Sequence, residues 1–301
     1  MLIEHLNRQL LELDAAALRR RRRTVLSPCA PGQQLQESGQ MLAFCSNDYL
    51  GLASHPELVE ALAEGARRWG AGSGASHLVS GHSLAHAELE QELARWLQPH
   101  IPAAQALLFC SGFMANLALM TALGDAQTTL LADKLNHASL IDGALLAKAR
   151  LQRYPHGRLD QLERLLRDCQ TPLKLIVTDA VFSMDGDLAD LPELLRLAEA
   201  YDAWVVVDDA HGFGVLGVQG HGSLEHFGLC SERLILIGTL GKALGTFGAF
   251  VAGSDILIDY LIQRARTYIY TTAPPPALAA ATRAALGLAR ARLQQTLGLL
   301  P

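Results

Sequence analysis

Lysine is scarce in this 301-residue chain. Of its 25 basic residues only Lys134, Lys148, Lys174 and Lys242 are lysines, so the setting of each can be compared directly. Lys242 stands in Gly238-Thr239-Leu240-Gly241-Lys242-Ala243-Leu244-Gly245, directly after the apolar run Leu234 to Ile237. Desolvation in such a glycine-lined apolar setting lowers an amine's pKa and supplies the neutral nucleophile that Schiff-base chemistry requires. Lys148 belongs to a polar helix face, Lys174 precedes a strand, and Lys134 sits among polar residues. A phosphate-binding P-loop would need Gly at 236 and Ser or Thr at 243, where the chain has Leu236 and Ala243, so the nucleotide reading fails.

Polar clusters follow other apolar runs. Val205-Val206-Val207 reads as a buried strand from which Asp208 emerges, and a carboxylate there wants a cation; a core aspartate satisfied by a backbone amide is the alternative. Cys110-Ser111-Gly112-Phe113 opens a helix, either as a serine cap or as a seat for phosphate on free backbone N–H groups. His137 ends Asp133-Lys134-Leu135-Asn136-His137, Ser183 lies in Phe182 to Asp187, and His211 follows Asp208-Asp209-Ala210. A desolvated lysine, a buried aspartate, a phosphate cradle and a nearby histidine together fit pyridoxal 5'-phosphate. His77, His82 and His86 raise a metal site, the last two at i, i+4, but HExxH is absent and no further ligand is evident, so no metal is expected. No serine sits in GxSxG, which removes the α/β-hydrolase nucleophile.

Positioning these residues falls to an α/β fold, since short apolar runs alternate with longer helical patterns, the rhythm of a mostly parallel sheet with helices on both faces. Strands are predicted at Ala104 to Phe109, Thr128 to Leu131, Leu173 to Thr178, Trp204 to Val207, Leu234 to Ile237 and Gly248 to Val251. Leucine spacing predicts helices over Pro56 to Trp69, Leu84 to Leu97, Phe113 to Leu123, Ser139 to Ala149, Leu159 to Asp168 and Leu191 to Ala200. The loop Gly70 to Gly81 is too glycine-rich to be filler. After Ala273 to Pro276 an Ala/Leu/Arg-rich helix runs towards Pro301, reading as the start of a new unit with no layer to pack against, as if the chain ended early.

Composition bounds the rest. With 50% hydrophobic and 18% charged residues the chain can bury a large core, and a net charge of -5 argues against nucleic acid as partner. Arg19 to Arg23, five arginines after the pattern Leu2, Leu6, Leu10, Leu13, Leu18, reads as a solvated helix end or a contact for an anionic ligand. The five cysteines are spread singly, which suits a reducing cytoplasm. The N-terminus lacks a signal-peptide core, and no uninterrupted apolar run approaches the ~20 residues of a membrane span, so no membrane partner is expected.

FCSNDYLGLASHP (Phe44 to Pro56), GSGASHLVSGH (Gly72 to His82), SGFMAN (Ser111 to Asn116), DKLNHAS (Asp133 to Ser139), VFSMDGD (Val181 to Asp187), VVDDAHGFGVLG (Val206 to Gly217) and GTLGKALG resemble, in unbroken order over nearly the whole chain, the α-oxoamine synthases. These are pyridoxal-phosphate enzymes of fold type I. The resemblance implies a large domain at 46–272 with a seven-stranded-type sheet, a lead-in segment at 1–45, and at 273–301 the beginning of a C-terminal domain otherwise missing. NDYLGL with GSGASHLVSGH is most similar to the branch that condenses L-alanine with a pimeloyl thioester, on coenzyme A or an acyl carrier protein, in biotin synthesis. Another condensation, such as that of a glycine C-acetyltransferase, or a catalytically silent fragment, are the alternatives.

Roles follow from the resemblance. Lys242 would carry the cofactor and move the α-proton, Asp208 would pair with the pyridinium nitrogen, and His137 would stack on the ring. His211 and Ser183 would bond around the phenolic oxygen, while Gly112, Phe113 and Thr239 would hold the phosphate. Arg19, Asn47 and His137 would meet substrate, with the arginine register open to Arg21. A homodimer is implied, in which Thr271 or Thr272 reaches the neighbouring phosphate. His77 stands where relatives often have a small residue.

Overall fold

A computed structural model describes residues 1–298. The chain divides into two compact units, one of residues 1–46 and one from Asn47 onward. In the first, the leucine pattern forms α1 (Leu2–Ala15), which buries no residue. Ala17 turns into the left-handed region at φ 55°, so Arg19 to Arg23 follow the helix rather than extend it. Arg19 pairs with Asp14 at 2.6 Å. A hairpin of β1 (Gly32–Leu35) and β2 (Gly39–Leu42) completes this unit. Gly-Gln-Gln-Leu offers no apolar run, so the sequence gives no strand signal there.

The second unit is a seven-stranded sheet in the order β3-β9-β8-β7-β6-β4-β5. Its strands are β3 (Gln105–Phe109), β4 (Thr128–Asp133), β5 (Arg150–Tyr154), β6 (Leu173–Asp179), β7 (Trp204–Asp208), β8 (Leu234–Thr239) and β9 (Ala249–Gly253). β5, β4, β6, β7 and β8 run parallel, while β9 is antiparallel to both β8 and β3. β5 is absent from the sequence expectation because Arg-Leu-Gln-Arg-Tyr has the charged, half-exposed pattern of an edge strand.

Successive side chains leave opposite faces of a strand, and two cores result. Val205 and Val207 join Leu131, Ile176 and Leu236 on one face; Val206 joins Leu130, Leu175 and Ile235 on the other. The first core is covered by α2 (Pro56–Trp69), α3 (Leu84–Leu97), α6 (Leu159–Asp168) and α7 (Leu191–Ala200), the second by α4 (Gly112–Leu123) and α5 (Ala138–Leu146). α5 stops short of the expected Ala149 because Lys148 takes φ 54° and turns the chain into β5. The short α8 (Ser223–His226) and α10 (Arg266–Ile269), and α9 (Asp255–Arg264), complete the framework up to Pro276.

The expectation of an uncovered C-terminal helix is corrected. α11 (Pro276–Thr296) packs on α2 and α3, burying Ala277, Ala281, Ala285, Leu286 and Ala289. Arg283 reaches Glu92 at 3.1 Å and also bonds Glu88, both on α3. This segment therefore belongs to the second unit; Leu299 to Pro301 of the expected 273–301 segment lie outside the described residues. The glycine-rich loop is tied to the stretch before α11, through Ala273 N–H to the Ala75 carbonyl at 2.9 Å and a bridge between Ser76 and Thr272.

α2 and α11 approach closely at Gly65, where a Cβ would lie 3.0 Å from the Ala277 backbone. Gly65→Leu should destabilise the protein by about 1–3 kcal/mol, read as a lowered urea midpoint at unchanged slope.

Candidate active site

The parallel strands end together, and the residues that follow them line one cavity of about 170 Å³. Its walls include all eight residues expected to bind the cofactor, namely Gly112, Phe113, His137, Ser183, Asp208, His211, Thr239 and Lys242. Asn116, Ser139, Asp179 and Ala210 complete the lining.

Asp208 ends β7 with 5% of its surface exposed. Its Oδ2 accepts from Asn116 Nδ2 at 2.7 Å and its Oδ1 from the Ala210 amide at 3.1 Å. Asn116 Nδ2 also donates to Ser139 Oγ at 2.8 Å, and that hydroxyl lies 2.7 Å from His137 Nδ1. The Asp208 carboxylate and the His137 ring are thus oriented through one amide. His137 N–H donates to Asp179 Oδ2 at 2.7 Å. Asp179 lies directly across from Asp208 in the β6–β7 register. Burial raises the Asp179 pKa above the usual carboxylate range, and the neighbouring Asp208 charge adds to it.

Lys242 is positioned by a tight loop. Gly245 has φ 64°, and a Cβ there would collide with the Ala53 amide, so only glycine lets the loop close against Leu52–Ala53. Burial lowers the Lys242 pKa, opposed by the Asp208 and Asp179 charges. Lys242 Nζ is 2.8 Å from His211 Nε2, and His211 Nδ1 is 2.5 Å from Tyr49 Oη, whose hydroxyl donates to Asn47 Oδ1 at 3.2 Å. With the Tyr49 proton directed to Asn47, His211 donates from Nδ1 and accepts at Nε2. Burial, reinforced by Lys242, pushes His211 down to about 4, so the imidazole is neutral.

The N-terminus of α4 supports both readings of Cys110 to Phe113. Ser111 Oγ caps the helix by accepting from Met114 N–H, while Gly112 and Phe113 open the first turn, whose N–H groups have no intrahelical partner. Thr239 Oγ1 donates to the Gly248 carbonyl at 3.2 Å. Ser183 lies on a turn closed by Gly186 N–H to the Phe182 carbonyl at 2.7 Å.

Three contributors escaped the sequence reading. Tyr49 and Asn116 lie within the segments NDYLGL and SGFMAN, but nothing in their types indicated a task. His156 sits between Asp187 at 2.8 Å and Asp133 at 3.2 Å, tying the Ser183 turn to β4. Burial opposes its charged form, and those carboxylates outweigh it, holding its pKa above the ordinary value.

Of the other expected residues, Arg19 is described within the first unit only. Thr271 and Thr272 do not line this cavity; Thr272 pairs with Ser76, and its carbonyl accepts from Cys110 Sγ at 3.6 Å.

The donor set fits pyridoxal 5'-phosphate. The buried Asp208 carboxylate at the end of β7 would pair with a pyridinium, and it shares its cavity with the Lys242 amine and a helix start suited to phosphate. Fold and site define a pyridoxal-phosphate protein of fold type I. The sequence profile named aminotransferase class I and II matches residues 39–297. A relative from Leptothrix cholodnii called 8-amino-7-oxononanoate synthase is 68% identical over 295 residues, covering 96% of this chain and 72% of the relative. The solved 8-amino-7-oxononanoate synthase of Francisella tularensis is 37% identical with a TM-score of 0.71, covering 85% of this chain and 72% of that one. The serine palmitoyltransferase of S. paucimobilis with bound PLP-myriocin aldimine superposes with a TM-score of 0.86 at 26% identity, covering 95% and 71%. The chain belongs to the aminotransferase class I and II family, and within it to the 8-amino-7-oxononanoate synthases, pyridoxal-phosphate-dependent acyltransferases.

Because the Asp179 pKa is raised on folding, the native state holds a proton that the unfolded chain releases. That contribution is complete below about pH 4 and is lost as pH rises through the folded value. Asp179→Asn keeps an oxygen acceptor for the His137 amide without the charge. The Tm of the cofactor-free variant should therefore fall less than that of the wild type between about pH 5 and about pH 8.

Proposed function

We propose that the chain condenses L-alanine with a pimeloyl thioester, carried on coenzyme A or an acyl carrier protein, giving 8-amino-7-oxononanoate, carbon dioxide and free thiol. The observation that carries this reading is the convergence of Lys242, His211 and Asp208 on one cavity, in a chain 68% identical to a relative of that name.

Gly112 and Phe113 amides and Thr239 would hold the phosphate of pyridoxal 5'-phosphate, Asp208 its ring nitrogen, and Ser183 and His211 its phenolic oxygen. When bound, the cofactor supplies an electron sink for the amino acid's α-carbon. Lys242 Nζ, biased by burial toward the neutral amine, takes the α-proton of alanine and later returns a proton to that carbon. Before the cofactor binds, His211 Nε2 accepts a hydrogen bond from that amine, and Tyr49 and Asn47, which fix the ring, would keep the same nitrogen at the phenolic oxygen once the cofactor is bound. His137, fixed by Ser139 and Asp179, would stack on the cofactor ring and border the substrate. The alanine α-carbon bonds to the thioester carbonyl, the thiolate leaves, and the β-keto carboxylate loses carbon dioxide. Arg19 and Asn47 are assigned to substrate. We assign a homodimer in which Thr271 or Thr272 of one subunit reaches the other's phosphate, and a cytoplasmic setting, which the singly spaced cysteines suit.

Purified protein loaded with cofactor should release thiol from pimeloyl-CoA only when L-alanine is present. Faster release with glycine and acetyl-CoA would move the assignment to another condensation, and no release with any pair would sink it. Borohydride reduction followed by peptide mass spectrometry should find the cofactor fixed to Lys242, and no such adduct in Lys242→Ala. Tyr49→Phe should lower kcat by about 10- to 100-fold with little change in the KM for alanine, since it frees the His211 tautomer without touching the amino acid.

A further inference from the structure

Outside the Lys242 cavity the fold gathers three imidazoles that the reaction does not use. His77 opens a π-helical turn (His77–Gly81), His82 follows that turn, and His86 lies in the first turn of α3. The i, i+4 pair was legible in the sequence; the third ring is supplied by the π-helical turn. Ring centroids are 5.2 Å apart for His77 and His82, 5.1 Å for His77 and His86, and 5.6 Å for His82 and His86. Three imidazoles bound to one tetrahedral ion at about 2.0–2.1 Å have their centroids about 5 Å apart, so the triangle has the right size before any ion enters.

The individual nitrogens agree with that geometry. One ligand atom from each ring lies within 4.8 Å of the other two, and His77 Nδ1 is 2.9 Å from His82 Nδ1. The opposite nitrogens of two rings face acceptors: His86 Nε2 is 2.8 Å from the Pro274 carbonyl and His82 Nε2 is 3.8 Å from Glu90 Oε2. Metal-bound histidines have this arrangement, with a lone pair inward and the other ring N–H on a carbonyl or carboxylate. Glu90 is itself fixed, its Oε1 accepting from Leu108 N–H at 3.0 Å. His77 is 7% exposed, stacks on Tyr268 at 4.7 Å and 12°, and its Nε2 has no hydrogen-bond partner. Coordination at His86 Nδ1 would replace that atom's 3.0 Å contacts with Ser83 while keeping the Pro274 bond.

We propose that His77, His82 and His86 bind one divalent transition-metal ion of the zinc class. Its fourth position faces a cavity of about 610 Å³ lined by His77, His82, Glu90 and Tyr268 among others, and takes water. The ion ties the end of the glycine-rich loop to α3, and through His86 to the Pro274 segment. It is a structural clip, independent of the condensation.

Untagged, chelator-dialysed holoprotein freed of loose cofactor should take up one equivalent of zinc chloride in a saturable calorimetric titration, with a rise in Tm. His82→Ala, whose ring is exposed and whose loss should leave folding intact, should weaken binding by about 100-fold or more and abolish the Tm rise. Lys242→Ala should bind zinc as the wild type does, which separates this site from the cofactor. No saturable uptake by the wild type, undiminished binding by His82→Ala, or loss of binding in Lys242→Ala would each overturn the assignment.

Discussion

The second unit is organised around an accumulation of buried carboxyl groups. Asp133, Asp179 and Asp208 end adjacent parallel strands and Asp209 follows, all at most 7% exposed. Parallel strands of similar length deliver their last residues to one edge, so the sheet that creates a ligand crevice also crowds its carboxylates there. Each is compensated differently. Asp133 takes His156, Asp208 takes Asn116, and Asp209 takes the amide and hydroxyl of Ser223. Burial nevertheless pushes Asp209 up to about 7. Lys242 is the cation that faces both Asp179 and Asp208, and the same charges limit how far burial can lower its pKa. The site's base strength is thus a balance between desolvation and neighbouring carboxylates.

Much of this was legible because buried parallel strands announce themselves as apolar runs. Val205-Val206-Val207 fixed both the strand and the emergence of Asp208, and the helices over Pro56–Trp69, Leu84–Leu97, Leu159–Asp168 and Leu191–Ala200 fall where leucine spacing puts them. Lysine scarcity singled out Lys242. What escaped depends on tertiary context. β5 alternates charge with half-burial, and a period-based reading passes over it. Tyr49 comes within 2.5 Å of a histidine 162 residues away, a pairing that no local pattern encodes. His156 acts only because β4 and the Val181–Asp187 turn bring two carboxylates to it.

The C-terminal helix shows how a boundary signal can mislead. A helix that opens after the proline cluster Ala273 to Pro276 reads as the start of a new unit, which left its apolar face without a layer to cover it. Small residues instead allow close approach: Gly65 meets the Ala277 backbone, and the Arg283 contacts with Glu88 and Glu92 flank the seam. The glycine-rich loop pairs with the stretch just before this helix, so helix, loop and α3 form one connected layer over the first core.

The connection from β8 to β9 bears on how the site assembles. These strands are antiparallel neighbours, so the loop bearing Lys242 is the tip of a hairpin rather than part of a helical crossover. A hairpin closes from residues near in sequence, whereas parallel pairings wait for long segments to be ordered first. The nucleophile's own strand pair is therefore kinetically local, while the carboxylates it must face arrive through slower, distant pairings. The amine can be in place before the charges that tune it.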